Sequence, residues 1–260
     1  MSIRFEKVTK SFGRRTILNG ISFEVHPGEI FFIIGKSGMG KSVTLKHIIS
    51  LLKPDSGQIW VDQSDVTRLS PEELIEVRGK CGIVFQHPAL LDSLNLFENI
   101  AFGLRTPQYR KKRGKHLSES EIHQIVIENL GRVYLDEEIL DRHPSQISFG
   151  MQKRASIART LAPNPDYLLF DEPTTSLDPI TTNAITDLIY ELSRGRKRVT
   201  SIVVSHDMSS ALRIADRILM LDEGKILEIS TPTQIRNSKN LLVQEFLAEA
   251  LIQEGSNTSS

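Results

Sequence analysis

The 260-residue chain has a single cysteine, no excess of either charge and no long apolar run. Each absence excludes something. Cys81 alone allows no internal disulfide, which suits a reducing compartment. It stands beside Gly82 and ahead of Ile83-Val84-Phe85, where core packing is its expected role. Thirty-two basic residues balance 32 acidic ones, with an isoelectric point near 7.1. That balance gives no general attraction to nucleic acid, and none is expected as a partner. No apolar stretch approaches the roughly 20 residues that a membrane span requires. Met1-Ser2-Ile3-Arg4-Phe5-Glu6 lacks the apolar segment of a secretory signal. There is no internal repeat and no long heptad region. The length suffices for one sizeable core with a subdomain.

What is present begins at Gly35-Lys36-Ser37-Gly38-Met39-Gly40-Lys41-Ser42. Two glycines flank four residues, and Lys and Ser follow, which is the pattern of a phosphate-binding loop. The run Glu29-Ile30-Phe31-Phe32-Ile33-Ile34 before it reads as a buried strand. After it, Val43, Leu45, Ile48, Ile49 and Leu52 lie near helical spacing, which predicts a helix from Ser42 to Leu52. Glycines let several backbone N–H groups converge on one anion, and the helix N-terminus adds partial positive charge. Lys41 is placed to neutralise β- and γ-phosphates, and the Ser42 hydroxyl to ligate Mg²⁺. Nucleotide binding far outweighs the alternative of an idle glycine turn.

The run Tyr167-Leu168-Leu169-Phe170 ends in two adjacent carboxylates, Asp171 and Glu172. The apolar residues read as a central strand, so the acids fall at its C-terminal edge, where open α/β sheets bind ligands. One acid can hold a Mg²⁺ shell and the next can orient or deprotonate water. Elsewhere, Ile3, Phe5, Val8 and Ile21, Phe23, Val25 partly alternate, which makes residues 3 to about 28 β-rich. Gly57–Asp62 adds a strand, and residues from about 88 to 160 are helix-rich. Helix and strand then alternate, with a hairpin expected at Asp222-Glu223-Gly224-Lys225.

These motifs, in this order, resemble the ATP-binding subunits of ABC transporters over about residues 1 to 235. Phe12 matches the aromatic that stacks on adenine, and Gln86 the glutamine that opens the loop into the helical subdomain. Ile147-Ser148-Phe149-Gly150-Met151 sits where the signature motif belongs. Asp171 and Glu172 match the Mg²⁺-associated aspartate and the catalytic glutamate. Ser176-Leu177-Asp178 matches the dimer-contact loop, and His206 the switch histidine. The resemblance implies an α/β P-loop NTPase fold of the ABC type. It has a RecA-like core, an N-terminal antiparallel β subdomain and a helical subdomain at about 88–160. Residues 236–260 are left as a helical tail with a disordered end.

The family also implies ATP and Mg²⁺ as cofactors. Lys41, Glu172 and His206 are the catalytic set, and Ser42, Gln86 and Asp171 surround the metal. Phe12, Gly35, Lys36, Ser37, Gly38, Met39, Gly40, Lys41, Ser42 and Gln86 would bind the nucleotide. Ser148, Gly150 and Asp178 would bind it from a second copy of the chain. Segments around Ser42–Ile49, Phe85–Leu94, Glu98–Phe102 and Leu177–Thr181 further resemble the Mla branch. That branch implies phospholipid movement between inner and outer membranes, with an integral-membrane permease and an MCE-domain protein. The expected location is cytoplasmic, peripheral on the inner face of the inner membrane. An importer of another small substrate is the alternative, and a soluble ABC ATPase ranks below it.

Four features stay open in the sequence. Phe149 stands where the family has Gly, so either its dihedrals are ordinary or the signature is weakened. Arg105 to Lys115 holds six basic residues and no acid, which suits a solvated loop or contact with anionic headgroups. Leu90, Leu91, Leu94 and Leu96 either grip a permease helix or fold back into the helical subdomain. Leu242, Phe246, Leu247, Leu251 and Ile252 predict an amphipathic tail helix that caps its own core or holds a second copy.

Overall fold

A computed structural model describes residues 2–107, 109, 114, 116–195 and 198–248. The alternating segments form a four-stranded antiparallel sheet from β1 (Ile3–Phe12), β2 (Arg15–Val25), β4 (Ser56–Val61) and β5 (Ser64–Asp65). The continuous apolar runs form a second sheet. Its strands are β3 (Ile30–Ile34), β6 (Cys81–Val84), β7 (Tyr167–Asp171), β8 (Thr200–Ser205), β9 (Arg217–Asp222) and β10 (Lys225–Ser230). Their order is β10-β9-β3-β8-β7-β6, parallel except for β10. Every residue of β3, β7 and β8 is buried, as expected of strands covered on both faces. Aromatic stacking joins the sheets. Phe5 stacks on Phe23 at 4.5 Å between ring centroids, and Phe23 on Phe31 of β3 at 5.7 Å. The β9–β10 hairpin turns through Glu223 and Gly224, both with positive φ, as the twist of a two-residue hairpin demands.

Helix α1 (Lys41–Ile48) is shorter than the expected Ser42–Leu52. Ser50 takes φ 50°, and the Arg78 guanidinium donates to the carbonyls of Ile49 and Ser50 at 2.9 and 3.1 Å. A cation on the last free carbonyls ends the helix before Pro54 can. α2 (Pro71–Arg78) begins on a Ser70–Glu73 capping box. The helical subdomain packs α3 (Leu96–Ala101), α4 (Glu119–Arg132) and α5 (Phe149–Leu161) around Leu96, Ile100, Ile122, Val126 and Ala158. α6 (Pro179–Arg194), α7 (Met208–Ile214) and α8 (Pro232–Ile235) cover the parallel sheet.

The open features divide. Leu96 is fully buried, and Leu90 and Phe97 are partly buried against the same core, so these residues fold back into the helical subdomain. Leu91 stays on the surface, 39% exposed. Asn99 holds it there, bonding to both its backbone N–H and its carbonyl. In the basic stretch, Arg105 pairs with Glu119 at 2.7 Å, while Arg110, Lys111, Lys112, Arg113 and Lys115 lie outside the described residues. In the tail, residues 241–248 are helical, with Val243 and Phe246 buried in the core. Leu251, Ile252 and the stretch 255–260 lie outside the described residues. Among the described residues, no helix is long and apolar enough to cross a membrane.

Candidate functional site

Three neighbouring parallel strands end at one level and deliver the candidate residues together. β3 leads into the glycine loop, β8 into His206, and β7 into Asp171 and Glu172. Ile34 pairs with Ser205, and Asp171 with Val204, so these C-terminal ends are in register. They open on a cleft of about 660 Å³, a volume suited to a small organic ligand. Phe12, Lys36, Ser37, Gly38, Gly40, Lys41, Ser42, Gln86, Glu172 and His206 all line it. The Phe12 ring is half exposed there, with the Lys10 ammonium 5.4 Å from its centroid.

The loop requires its glycines for two different reasons. At Gly35 a Cβ would lie 2.3 Å from the Leu221 carbonyl oxygen, so β9 admits no side chain there. Gly40 caps α1 at φ 97° and offers no side-chain acceptor. The first N–H groups of α1 are therefore left to meet an anion. The Lys41 ammonium folds back over the loop. It donates to the carbonyls of Gly35 and Lys36 at 2.7 and 3.1 Å and pairs with Glu172 at 3.1 Å. Met39 lies to the other side of the loop, in a smaller hollow with Arg15 and Glu223.

Glu172 is the hub. Besides Lys41 it accepts from His206 Nδ1 at 2.9 Å and Thr175 Oγ1 at 3.1 Å. Its own backbone is held at φ 48°, an unusual conformation for a side-chain-bearing residue and one that concentrates at functional sites. Burial pushes the Glu172 carboxyl up, but His206 and Lys41 together outweigh it and leave the group below its ordinary range. The hydrogen bond to Glu172 in turn raises the His206 imidazole, against burial. Asp171 behaves oppositely. Burial raises it, although the Ser42 hydroxyl donates to Oδ1 at 2.6 Å and Lys46 and Lys41 favour its charge. Two adjacent carboxylates are thus driven apart, Glu172 lowered by its hydrogen-bond and charge partners and Asp171 raised by burial that Lys46 and Lys41 do not offset.

Ser148, Gly150 and Asp178 do not line this cleft. Ser148 caps α5, accepting from the Met151 N–H, and Asp178 caps α6, accepting from the Thr181 N–H at 3.0 Å. The two helix starts adjoin each other, since a Cβ on Gly150 would sit 3.2 Å from the Thr181 methyl. Phe149 is the first residue of α5 and has no positive φ, so ordinary dihedrals resolve the question the sequence left there. Its ring is 37% exposed.

Three residues at or beside the cleft were not read as site residues in the sequence. Thr175 sits in the Pro-Thr-Thr-Ser segment beside the acids, and that adjacency was its only signal. Phe246 arrives from the tail to wall the cleft, its ring 5.8 Å from the Lys36 ammonium. Lys153 is buried beside Gln86. Burial pulls its ammonium down to about 8, while Asp171 and Glu172 favour its charge.

Known proteins resemble the chain in sequence and in fold. Residues 18–175 match the ABC transporter family. The chain is 39% identical over 245 residues to the intermembrane phospholipid transport system ATP-binding protein MlaF of Haemophilus influenzae, covering 94% of this chain and 89% of that one. It is 37% identical over 245 residues to the methionine import ATP-binding protein MetN of Carboxydothermus hydrogenoformans, covering 93% of this chain and 70% of the relative. A solved structure of a dimeric ATP-binding cassette in a post-hydrolysis state, bound to ADP and Pi, superposes with a TM-score of 0.79 at 31% identity. It covers 88% of this chain and 98% of that one.

Proposed function

The chain belongs to the ABC transporter family of ATP-binding proteins, and from that premise we propose that it drives phospholipid movement from the cytoplasmic face of a membrane. It is an ATPase subunit of a transporter. The observation that carries the chemistry is the Lys41–Glu172–His206 cluster, set over a phosphate loop at the edge of three parallel strands.

ATP fits this cleft by its donor set. The N–H groups of the loop and of the first turn of α1 would cradle the phosphates, with Phe12 against the base. Ser42 Oγ and Asp171 Oδ1, already 2.6 Å apart, supply two hard oxygens suited to Mg²⁺, with the Gln86 side chain a third. When bound, Mg²⁺ would neutralise charge on the phosphate oxygens. Lys41 exchanges its Glu172 partner for the phosphates. That frees Glu172, ionised by its surroundings, to take a proton from water. His206 positions Glu172 through Nδ1 and reaches toward the γ-phosphate. Ser148, Gly150 and Asp178 have no place in their own cleft, and this supports their use on the nucleotide of a second copy.

Phospholipid as the cargo is supported by the extent of likeness to a relative named for intermembrane phospholipid transport. The methionine-import relative favours a small-substrate importer instead. A permease, joined by an MCE-domain protein, would take up the stroke. Leu91, exposed on a backbone fixed by Asn99, is the proposed permease contact. Purification from detergent-solubilised membranes, with lipid analysis of the complex, tests the reading. Phospholipid should co-purify with the wild-type complex, and Leu91→Asp should release the ATPase with ATP binding intact. A complex that carries methionine or another small solute, and no lipid, rejects the phospholipid assignment. Retained assembly in Leu91→Asp rejects the docking surface.

A further inference from the structure

Among the described residues two lysines are buried, Lys41 and Lys153. Lys41 faces phosphates. Lys153 is 1% exposed on α5 and has no part in the chemistry above. An ammonium taken out of water is costly unless fixed acceptors repay it. Its acceptors here are main-chain oxygens: the Gln86 carbonyl at short range and the Phe85 carbonyl at 3.5 Å. Four residues earlier on the same helical face, Phe149 places its ring 5.8 Å from the ammonium. Phe149 therefore covers the charge on the outside while the two carbonyls hold it on the inside. The neutral Gln152, next in the chain, faces elsewhere and donates to the carbonyls of Pro144 and Ile147.

The geometry points to a positioning role for Lys153. Its ammonium pins the Gln86 carbonyl, which aims the Gln86 side chain into the cleft and ties that residue to α5, the helix capped by Ser148. The Phe149 ring seals this tie from water. The inference rests on the reading of Gln86 as a ligand of the Mg²⁺ that accompanies ATP. It gives the aromatic residue of the signature segment a use: one side chain spans from the region offered to a second copy back to the chain's own nucleotide cleft.

The test compares full-length wild type with Gln86→Ala, Lys153→Met, Lys153→Arg and Phe149→Leu. ATP affinity is measured at equilibrium twice, in EDTA and in saturating Mg²⁺, beside kcat and KM. The ratio of the two affinities reports the metal, and a merely structural role would not move it. Gln86→Ala should cut the Mg²⁺ enhancement, and Lys153→Met should cut it comparably, roughly tenfold as for a lost outer-shell partner. Affinity in EDTA should hold in both. Lys153→Arg keeps the cation and should restore most of the enhancement. Full enhancement in Lys153→Met with a deficit in Gln86→Ala overturns the role of Lys153 and leaves that of Gln86 standing. Full enhancement in both overturns the Gln86 reading and this inference with it. Should Lys153→Met fail to fold, Phe149→Leu decides on a surface residue. A two- to threefold loss supports the seal, and an unchanged ratio refutes it.

Discussion

Replacing Glu172 by Gln separates binding from chemistry in a way the geometry makes specific. The carboxylate holds the Lys41 ammonium at 3.1 Å and His206 Nδ1 at 2.9 Å. A charge-assisted contact of this kind contributes about 1.5–3 kcal/mol. In the wild type, ATP must draw Lys41 away from that partner before the ammonium serves the phosphates. The amide lowers this barrier to exchange, because it carries no charge and keeps one acceptor. ATP affinity should therefore hold, or tighten by up to about tenfold, equivalent to about 1.4 kcal/mol. Turnover should fall by about 10²–10⁴-fold, the usual contribution of a general base. Equilibrium titration with a fluorescent ATP analogue and steady-state phosphate release measure the two effects on one preparation. A variant that loses affinity in step with turnover refutes the exchange of partners at Lys41. Turnover within about twofold of wild type removes Glu172 from the chemistry.

Three further outcomes follow from the same contacts. Lys41→Ala should weaken ATP binding by about 10–100-fold, since the charge-assisted contacts of the ammonium are lost and Glu172 is left without its lysine. Asp171→Asn should raise the melting temperature of the nucleotide-free protein and abolish Mg²⁺-dependent turnover, because burial already disfavours the aspartate charge; thermal scans and phosphate release check both. The Glu172–His206 pair should leave its mark on stability against pH. Glu172 is lowered from 4.5, so its contribution is present above that value and is lost as pH falls through the lowered one. His206 is raised from 6.5, so its contribution is complete below that value and is lost as pH rises through the raised one. Denaturant unfolding followed from well below pH 4 to above pH 8 should flatten at both ends in Glu172→Gln, and an unchanged profile would show that the pair does not form.

What was legible in the sequence is what neighbouring residues decide. The glycine loop announces itself because eight consecutive residues perform one task between a wholly apolar strand and a helix. Asp171 and Glu172 were readable because the run before them is buried on both faces, which fixes which end of the strand carries the acids. Long-range events were not readable. The end of α1 depends on Arg78, some 30 positions away, so propensity alone carried the helix too far. Leu90, Leu91 and Leu96 are chemically alike, and only the packing of α3 against α5 sends Leu96 inward and leaves Leu91 outside. Lys153 reads as an ordinary helical lysine until the fold lays Gln86 over it, 67 residues away. Phe246 keeps a helical period with its neighbours, and nothing in that period says it will meet Lys36. The family resemblance added Ser148 and Asp178, which within one chain look like plain helix caps.

Those two caps carry the central claim, that each cleft is completed by another copy of the chain. Sedimentation of Glu172→Gln with and without Mg²⁺ and ATP, with nucleotide content measured in the same sample, tests it most directly. The account predicts a shift from monomer to dimer on adding ATP, with two nucleotides retained per dimer, and loss of that shift on adding Ser148→Arg. A protein that binds ATP at Lys41 yet stays monomeric, alone and with its membrane partner, contradicts it.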